Sequence, residues 1–242
     1  MEIKKLESFD EFISYVASFS QEVSAYRGVT HEKYDLRPKV GRLEIKKRQN
    51  ETLLDVEQRI LRRFQERAVP YLKIIPQEYE FDWMAIAQHH GLPTRLLDWS
   101  RNPLAAAFFA VERQILEHEL EDHSGNSAIY VFRGGSVISK GNSSRVNTKY
   151  RDGPYTIKKT EKFVPAHWDT RITVQSGLFT VHHDPTMKYP SDIEPLTKLI
   201  IPSKQRKIWK KRLHALNINK ASLFPDLDNL CAHIGWLHSK GY

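Results

Sequence analysis

Residues 88–110 read QHHGLPTRLLDWSRNPLAAAFFA, which sets Gln88, His89, Thr94, Arg95, Asp98 and Ser100 close together between two apolar runs. Side chains of these types either satisfy one another as a buried network or converge on a ligand, because a buried polar group without a partner is costly. In the first case Arg95 and Asp98 form a structural ion pair, both buried and bonded within the block, with Trp99 in the core. The second case has support from Asn102 and Pro103, an N-cap and first-turn pair. The block therefore abuts a helix N-terminus, whose free N–H groups suit an anion. Other chemistry is poorly represented. His89-His90 and His182-His183 are adjacent pairs whose side chains diverge on a helix or strand, so no metal site is expected. No P-loop, serine nucleophile elbow or G-x-G-x-x-G occurs.

The elements that must position these residues follow from periodicity and punctuation. Ser8 and Glu11 have capping-box spacing ahead of a helix from about Phe9 to Ser18. The segment 22–29 predicts a strand ending near Gly28, and Tyr34–Arg42 predicts a loop. From Glu51, the positions Leu53, Val56, Ile60, Leu61, Phe64 and Ala68 fit a 3.6-residue period, with Arg59, Arg62, Arg63 and Arg67 on the solvent side, until Pro70. Trp83–His90 predicts a short helix ended by Gly91 and Pro93. After Asn102 a buried helix carries Leu104, Ala107, Phe108, Val111, Ile115 and Leu116. Ala128–Phe132, Ile172–Val181 and Leu196–Ile201 predict three strands, and the Gly-, Ser- and Lys-rich segment 134–155 a mobile basic loop able to cover a site. Two closing helices run from Lys204 to Leu216 and from about Asp226 to Leu237, the latter with Leu227, Leu230, Cys231, Ile234 and Leu237 on one face. The expectation is one α+β domain over residues 1–242, a central mixed or antiparallel sheet flanked by N- and C-terminal helices.

Composition narrows the class of partner. The chain has 242 residues, 40% of them hydrophobic, enough for a sizeable core. Lys and Arg number 37 against 29 Asp and Glu, a net charge of +8 that favours phosphate-bearing partners. Lys204, Arg206, Lys207, Lys210, Lys211 and Arg212 form a basic helical face around Trp209, suited to a nucleic-acid backbone or simply to solvent. The lone Cys231 makes no internal disulfide, Asp10 and Glu11 break any signal-peptide core within residues 1–20, and no apolar run is long enough for a membrane span; a cytoplasmic location is expected.

Several of these residues also carry a resemblance. Tyr26-Arg27-Gly28, then Leu36, Pro38 and Arg42, the block Gln88-His89-His90-Gly91-Leu92-Pro93-Thr94-Arg95-Leu96-Leu97-Asp98-Trp99-Ser100 and Ala107-Phe108-Phe109-Ala110 resemble the FRG domain, named for an aromatic-Arg-Gly motif. The similarity continues through Arg171-Ile172, Gln175-Ser176-Gly177-Leu178-Phe179 and Ser222 to Asp228. The core motifs span 22–230. Here Tyr26 stands where the name has Phe.

The order of the motifs resembles, more distantly, that of ADP-ribosyltransferases, which implies an ADP-ribosyltransferase-like fold and NAD as substrate. That class uses an Arg on a first strand, a Ser or Thr ending a second and a Glu on a later one. Arg27, Ser100 and Gln175 fall in this order and are the implied catalytic set. Arg27, Gly28, Arg42, Gln88, His89, Thr94, Arg95 and Asp98 are the implied cofactor-binding set. A guanidinium fork can hold a diphosphate and a hydroxyl can position a ribose. With Gln175 in place of a carboxylate, either another acid such as Asp98 or Asp184 substitutes or the site binds without transfer. The resemblance implies a toxin or phage-defence effector that modifies a protein or nucleic-acid acceptor. The competing reading is a non-catalytic nucleotide- or nucleic-acid-binding module.

Overall fold

A computed structural model describes residues 1–19, 24–72, 75–76, 79–113, 125–142, 145–166, 170–190, 192–193 and 195–239. In chain order the elements are β1 (Glu2–Lys5), α1 (Phe9–Ala17), β2 (Ala25–Val29), α2 (Lys39–Arg42), α3 (Leu53–Ala68), α4 (Glu80–His89), β3 (Leu96–Ser100) and α5 (Pro103–Val111). Then come β4 (Ser127–Phe132), β5 (Val137–Ile138), β6 (Gly141–Asn142), β7 (Arg145–Val146), α6 (Thr148–Asp152), β8 (Glu161–Phe163), α7 (Thr170–Val174) and β9 (Gly177–Val181). The chain closes with β10 (Leu196–Ile201), α8 (Ser203–Ala215), α9 (Lys220–Leu223) and α10 (Leu227–Leu237).

Eight strands form one mixed sheet in the order β1-β10-β4-β2-β3-β9-β8-β5, with β6 and β7 as a separate ribbon. The sheet has a seam. β2 pairs with β4 over five residues and β3 with β9 over five, yet β2 and β3 share a single paired position, Tyr26 opposite Ser100. Helices cover one face in two groups that respect this seam. α1, α5 and α8 pack over β2, β4 and β10 through Phe12, Phe108, Val131 and Trp209. α3 and α4 pack over β3, β8 and β9 through Leu61, Met84, Phe163 and Phe179.

Local chemistry explains most boundaries. Ser8 Oγ accepts from Glu11 N at 3.1 Å, while the Glu11 carboxylate takes the Glu7 N–H at 2.7 Å. The Asn102 side chain accepts from the N–H groups of Leu104 and Ala105 and starts α5 at Pro103. α4 ends at His90, after which Gly91 takes a φ of +86°.

Four expectations are corrected. The β-prone run Ile172–Val181 divides into helix α7, a turn in which Ser176 adopts a φ of +48°, and strand β9. Gln175 therefore sits on a turn, because a backbone in the left-handed region cannot continue a strand. Leu96–Ser100, expected only as a polar block between helices, is a strand, its Leu96, Leu97 and Trp99 buried. Segment 134–155 is tied to the fold rather than a cover for the cleft described below. Ile138 and Tyr150 are buried, and the Tyr150 hydroxyl donates to Asp82 Oδ1 at 2.5 Å. Finally, α10 buries none of its residues, and Leu227, Leu230, Cys231, Ile234 and Leu237 are all exposed. Ile115, Leu116 and the first residues of the 22–29 strand lie outside the described residues. No helix among the described residues is long and apolar enough to cross a membrane.

Candidate functional site

The seam opens a cleft of about 470 Å³, within the size range of small-molecule sites. Arg27, Gly28, Arg42, Asp98, Ser100 and Gln175 all line it, and its apolar walls include Tyr26, Tyr34, Trp99, Phe109 and Phe224. Three residues separated by 73 and 75 positions in the chain, Arg27, Ser100 and Gln175, thus meet at one place because β2 and β3 part beyond their single shared pair.

Arg27 belongs to the opposite sheet face from Tyr26 and Gly28, as strand alternation requires. Its Nη1 donates to the backbone carbonyl of Asp98 at 2.6 Å and stands 4.0 Å from the Asp98 carboxylate. Its Nε is buried and has no hydrogen-bond partner among the described residues. Burial, with a further contribution from Arg42, lowers the Arg27 pKa, opposed by the Asp98 charge. Arg42 is delivered by α2, whose Val40 is buried and donates its N–H to Thr94 O at 3.3 Å. Two guanidinium groups therefore line a cleft in which, among the described residues, Asp98 is the one carboxylate.

Gly28 has a purely steric role. A Cβ there would lie 1.8 Å from the carbonyl oxygen of Ala106, so only glycine lets α5 approach β2 this closely.

The other two members of the implied catalytic set are occupied. Ser100 is buried, its Oγ donating to the Gln175 carbonyl at 2.6 Å and accepting from Asn102 N at 2.9 Å. The Gln175 side chain donates through Nε2 to the Leu223 carbonyl at 3.0 Å. Both side chains fasten the α7–β9 turn to β3 and α9.

The rest of the implied cofactor set separates into distinct roles. Gln88 donates to Asp98 Oδ2 at 3.1 Å and accepts from Thr94 Oγ1 at 2.7 Å, so both steady Asp98 from behind the cleft without lining it. His89 is also absent from the lining and packs edge-on against the His90 ring. Arg95 departs most from expectation. It is buried, but its partner is Glu57 of α3, with Nε–Oε2 at 2.8 Å and Nη2–Oε1 at 2.9 Å, and its guanidinium lies 4.8 Å from the Tyr155 ring centre. The expected Arg95–Asp98 pair does not form: Arg95 is taken by Glu57, and the Asp98 carboxylate is bonded by Gln88. The Asp98 side chain is 61% exposed, not buried. Asp184 is held by the N–H and hydroxyl of Thr186 and does not line the cleft.

Sequence reasoning missed Glu57, although a carboxylate beside Val56 on the apolar side of α3 was the available signal. It also missed Tyr34 as a cleft wall and the buried chain behind it. There Trp99 Nε1 donates to Thr180 Oγ1 at 2.9 Å, and Thr180 Oγ1 lies 2.9 Å from His182 Nε2. Burial pushes the His182 pKa down to about 3, so its ring is neutral.

Half of the basic face expected on α8 is engaged within the protein. Arg206 is buried and donates to the carbonyls of Thr30, Arg113 and Gly125. Lys210 donates to the Glu112 carbonyl at 2.8 Å, and Arg212 pairs with Asp10 at 2.6 Å.

A family model supplies the decisive comparison: residues 22–119 match the FRG domain. That stretch, about two fifths of the chain, is similar to the FRG domain. The matched stretch contains β2, α2, β3 and α5, and so brings Arg27, Arg42, Asp98 and Ser100 to the seam, while Gln175 and Phe224 arrive from outside it. No curated protein and no solved structure matches the chain.

Proposed function

We propose that the FRG cleft binds a phosphate-bearing nucleotide, NAD being the one that the order of motifs points to. The observation that carries this reading is Arg27, a largely buried guanidinium that lines the cleft beside a second guanidinium on Arg42. A diphosphate compensates both charges, and guanidinium–phosphate contacts are among the stronger hydrogen bonds. The aromatic walls at Tyr34 and Phe109 suit a base or nicotinamide ring. We take residues 1–242 as one cytoplasmic unit, since strands from both ends of the chain enter the same sheet.

A second reading, ADP-ribosyl transfer by an effector acting on a macromolecule, is favoured by Asp98, the carboxylate in the lining. In that reaction the bond between ribose C1′ and the nicotinamide nitrogen breaks, nicotinamide leaves, and an acceptor nucleophile bonds C1′ and gives up its proton. Asp98 would stabilise the positive charge that develops on the ribose. Ser100 and Gln175 do not fit the ribose-positioning roles, because their side chains are spent on backbone carbonyls.

Calorimetry with ADP, ADP-ribose and NAD, followed by assay of nicotinamide, tests both readings. Saturable binding, weakened in Arg27→Ala, is expected. Failure of all three ligands at millimolar concentration overturns the nucleotide reading. Nicotinamide release abolished by Asp98→Asn supports transfer, whereas NAD binding without release identifies a binding module.

A further inference from the structure

Helix α3 offers six apolar positions at helical spacing, but the protein uses only part of that face. Val56, Leu61 and Ala68 are buried, while Ile60 and Phe64 remain partly exposed and form the floor of a groove together with Leu72 and Leu92. The groove has a volume of about 540 Å³ and lies outside the nucleotide cleft. Tyr71 stands at its edge 87% exposed, far more than a tyrosine ring serving only the fold.

Charge marks the rim. Arg63 and Arg67, one helical turn apart, are both exposed, line the groove and make no hydrogen bond or ion pair among the described residues. Arg59, one turn earlier, shows the contrast, since it is forked onto Glu51 at 2.6 and 2.9 Å.

We infer that this groove is a docking site for an acidic amphipathic segment of a partner protein. Its apolar residues lie on Ile60, Phe64, Leu72 and Leu92, and its carboxylates reach Arg63 and Arg67. The argument is one of complementarity. Unspent arginines spaced by a helical turn match Asp or Glu spaced likewise, and arginine, tyrosine and phenylalanine are the residue types that dominate binding energy at protein interfaces. A helix laid in an apolar groove is an established recognition mode. The mostly aliphatic floor, flanked by two arginines rather than a continuous cationic track, argues against nucleic acid.

The test pans a random peptide library against the full chain, then measures a selected peptide by fluorescence anisotropy. Enrichment of sequences with Asp or Glu flanking apolar residues at helical spacing is expected. A selected peptide should lose at least tenfold in affinity against Arg63→Glu/Arg67→Glu and against Tyr71→Ala, and should weaken with added salt. Replacing the peptide's acidic residues with lysine should restore binding to the charge-reversed variant. All three substituted residues are exposed, so melting temperatures should match the wild type; if charge reversal lowers the melting temperature, Arg63→Ala/Arg67→Ala takes its place. Absence of acidic–apolar enrichment, or affinity indifferent to Arg63 and Arg67, overturns the proposal. So does light scattering that reveals a dimer dissolved by the reversal, which assigns the groove to a second copy. An oligonucleotide retained by the wild type and released by the reversal likewise overturns it.

Discussion

Arg27 and Asp98 meet across the one place where the sheet is not zipped: the Arg27 guanidinium donates to the Asp98 backbone carbonyl at 2.6 Å, while the Asp98 carboxylate, 4.0 Å away, is shared with Gln88. Extending the Tyr26–Ser100 register would set Gly28 opposite Asp98. The side chain of Arg27 bonds across that junction instead, so one residue both bridges the seam and lines the cleft.

Replacing Arg27 should therefore affect ligand more than fold. Arg27→Ala should weaken ADP or NAD binding about 10- to 100-fold, the equivalent of one charge-assisted hydrogen bond of roughly 1.5–3 kcal/mol. Arg27→Lys should restore little, because an ammonium cannot reproduce the fork. Calorimetric titration of the three proteins checks both outcomes.

Arg95 should behave in the opposite way. Its bidentate contact with Glu57 is buried on both sides, so Arg95→Ala leaves an unpaired carboxylate inside the protein and should cost about 3–5 kcal/mol. Replacing both partners by apolar residues, Glu57→Leu with Arg95→Met, should cost clearly less, since no charge is then stranded. Chemical denaturation of single and double variants separates the two.

Acidification should destabilise the fold through His182. Its pKa is lowered to about 3 in the folded state against an ordinary 6.5, so the unfolded chain takes up the proton first. Stability from this residue is complete above about pH 6.5 and falls as pH drops toward 3, at about 1.4 kcal/mol per unit. Between pH 7 and pH 5 the wild type should lose about 2 kcal/mol more than His182→Gln. Parallel urea titrations at the two pH values measure this difference, and equal losses would contradict it.

Gln175→Glu, which installs the carboxylate that the transferase pattern expects, should not create activity. The Gln175 Nε2 donates to the Leu223 carbonyl, and a carboxylate there would face that oxygen with no proton to share. The variant should melt lower, and nicotinamide release from NAD should not increase. A gain in release would restore Gln175 to the transferase role.

Much of this was legible in the sequence. Helix starts at Ser8 and Asn102 follow from side-chain capping, which is a matter of neighbours three residues apart. The meeting of Arg27, Arg42, Asp98 and Ser100 was legible as a conjunction of motifs. Of the polar residues crowded into the 88–100 block, Asp98 and Ser100 line the cleft, while Gln88, His89, Thr94 and Arg95 do not.

What the sequence by itself determined, then, was local: helical periodicity, caps, the apolar strands Ala128–Phe132 and Leu196–Ile201, and the identity of the residues that bear charge. Only the tertiary structure decided where that charge is spent. Arg95 pairs not with Asp98 but with Glu57, 38 positions away, because the fold brings α3 against it. Arg206, Lys210 and Arg212 turned inward or onto neighbours, while Arg63 and Arg67 did not. An arginine carries the same charge in every sequence position, but whether a carbonyl or carboxylate reaches it depends on elements distant in the chain. The open seam itself arises from pairings with β4 and β9 that leave β2 and β3 only one position in common.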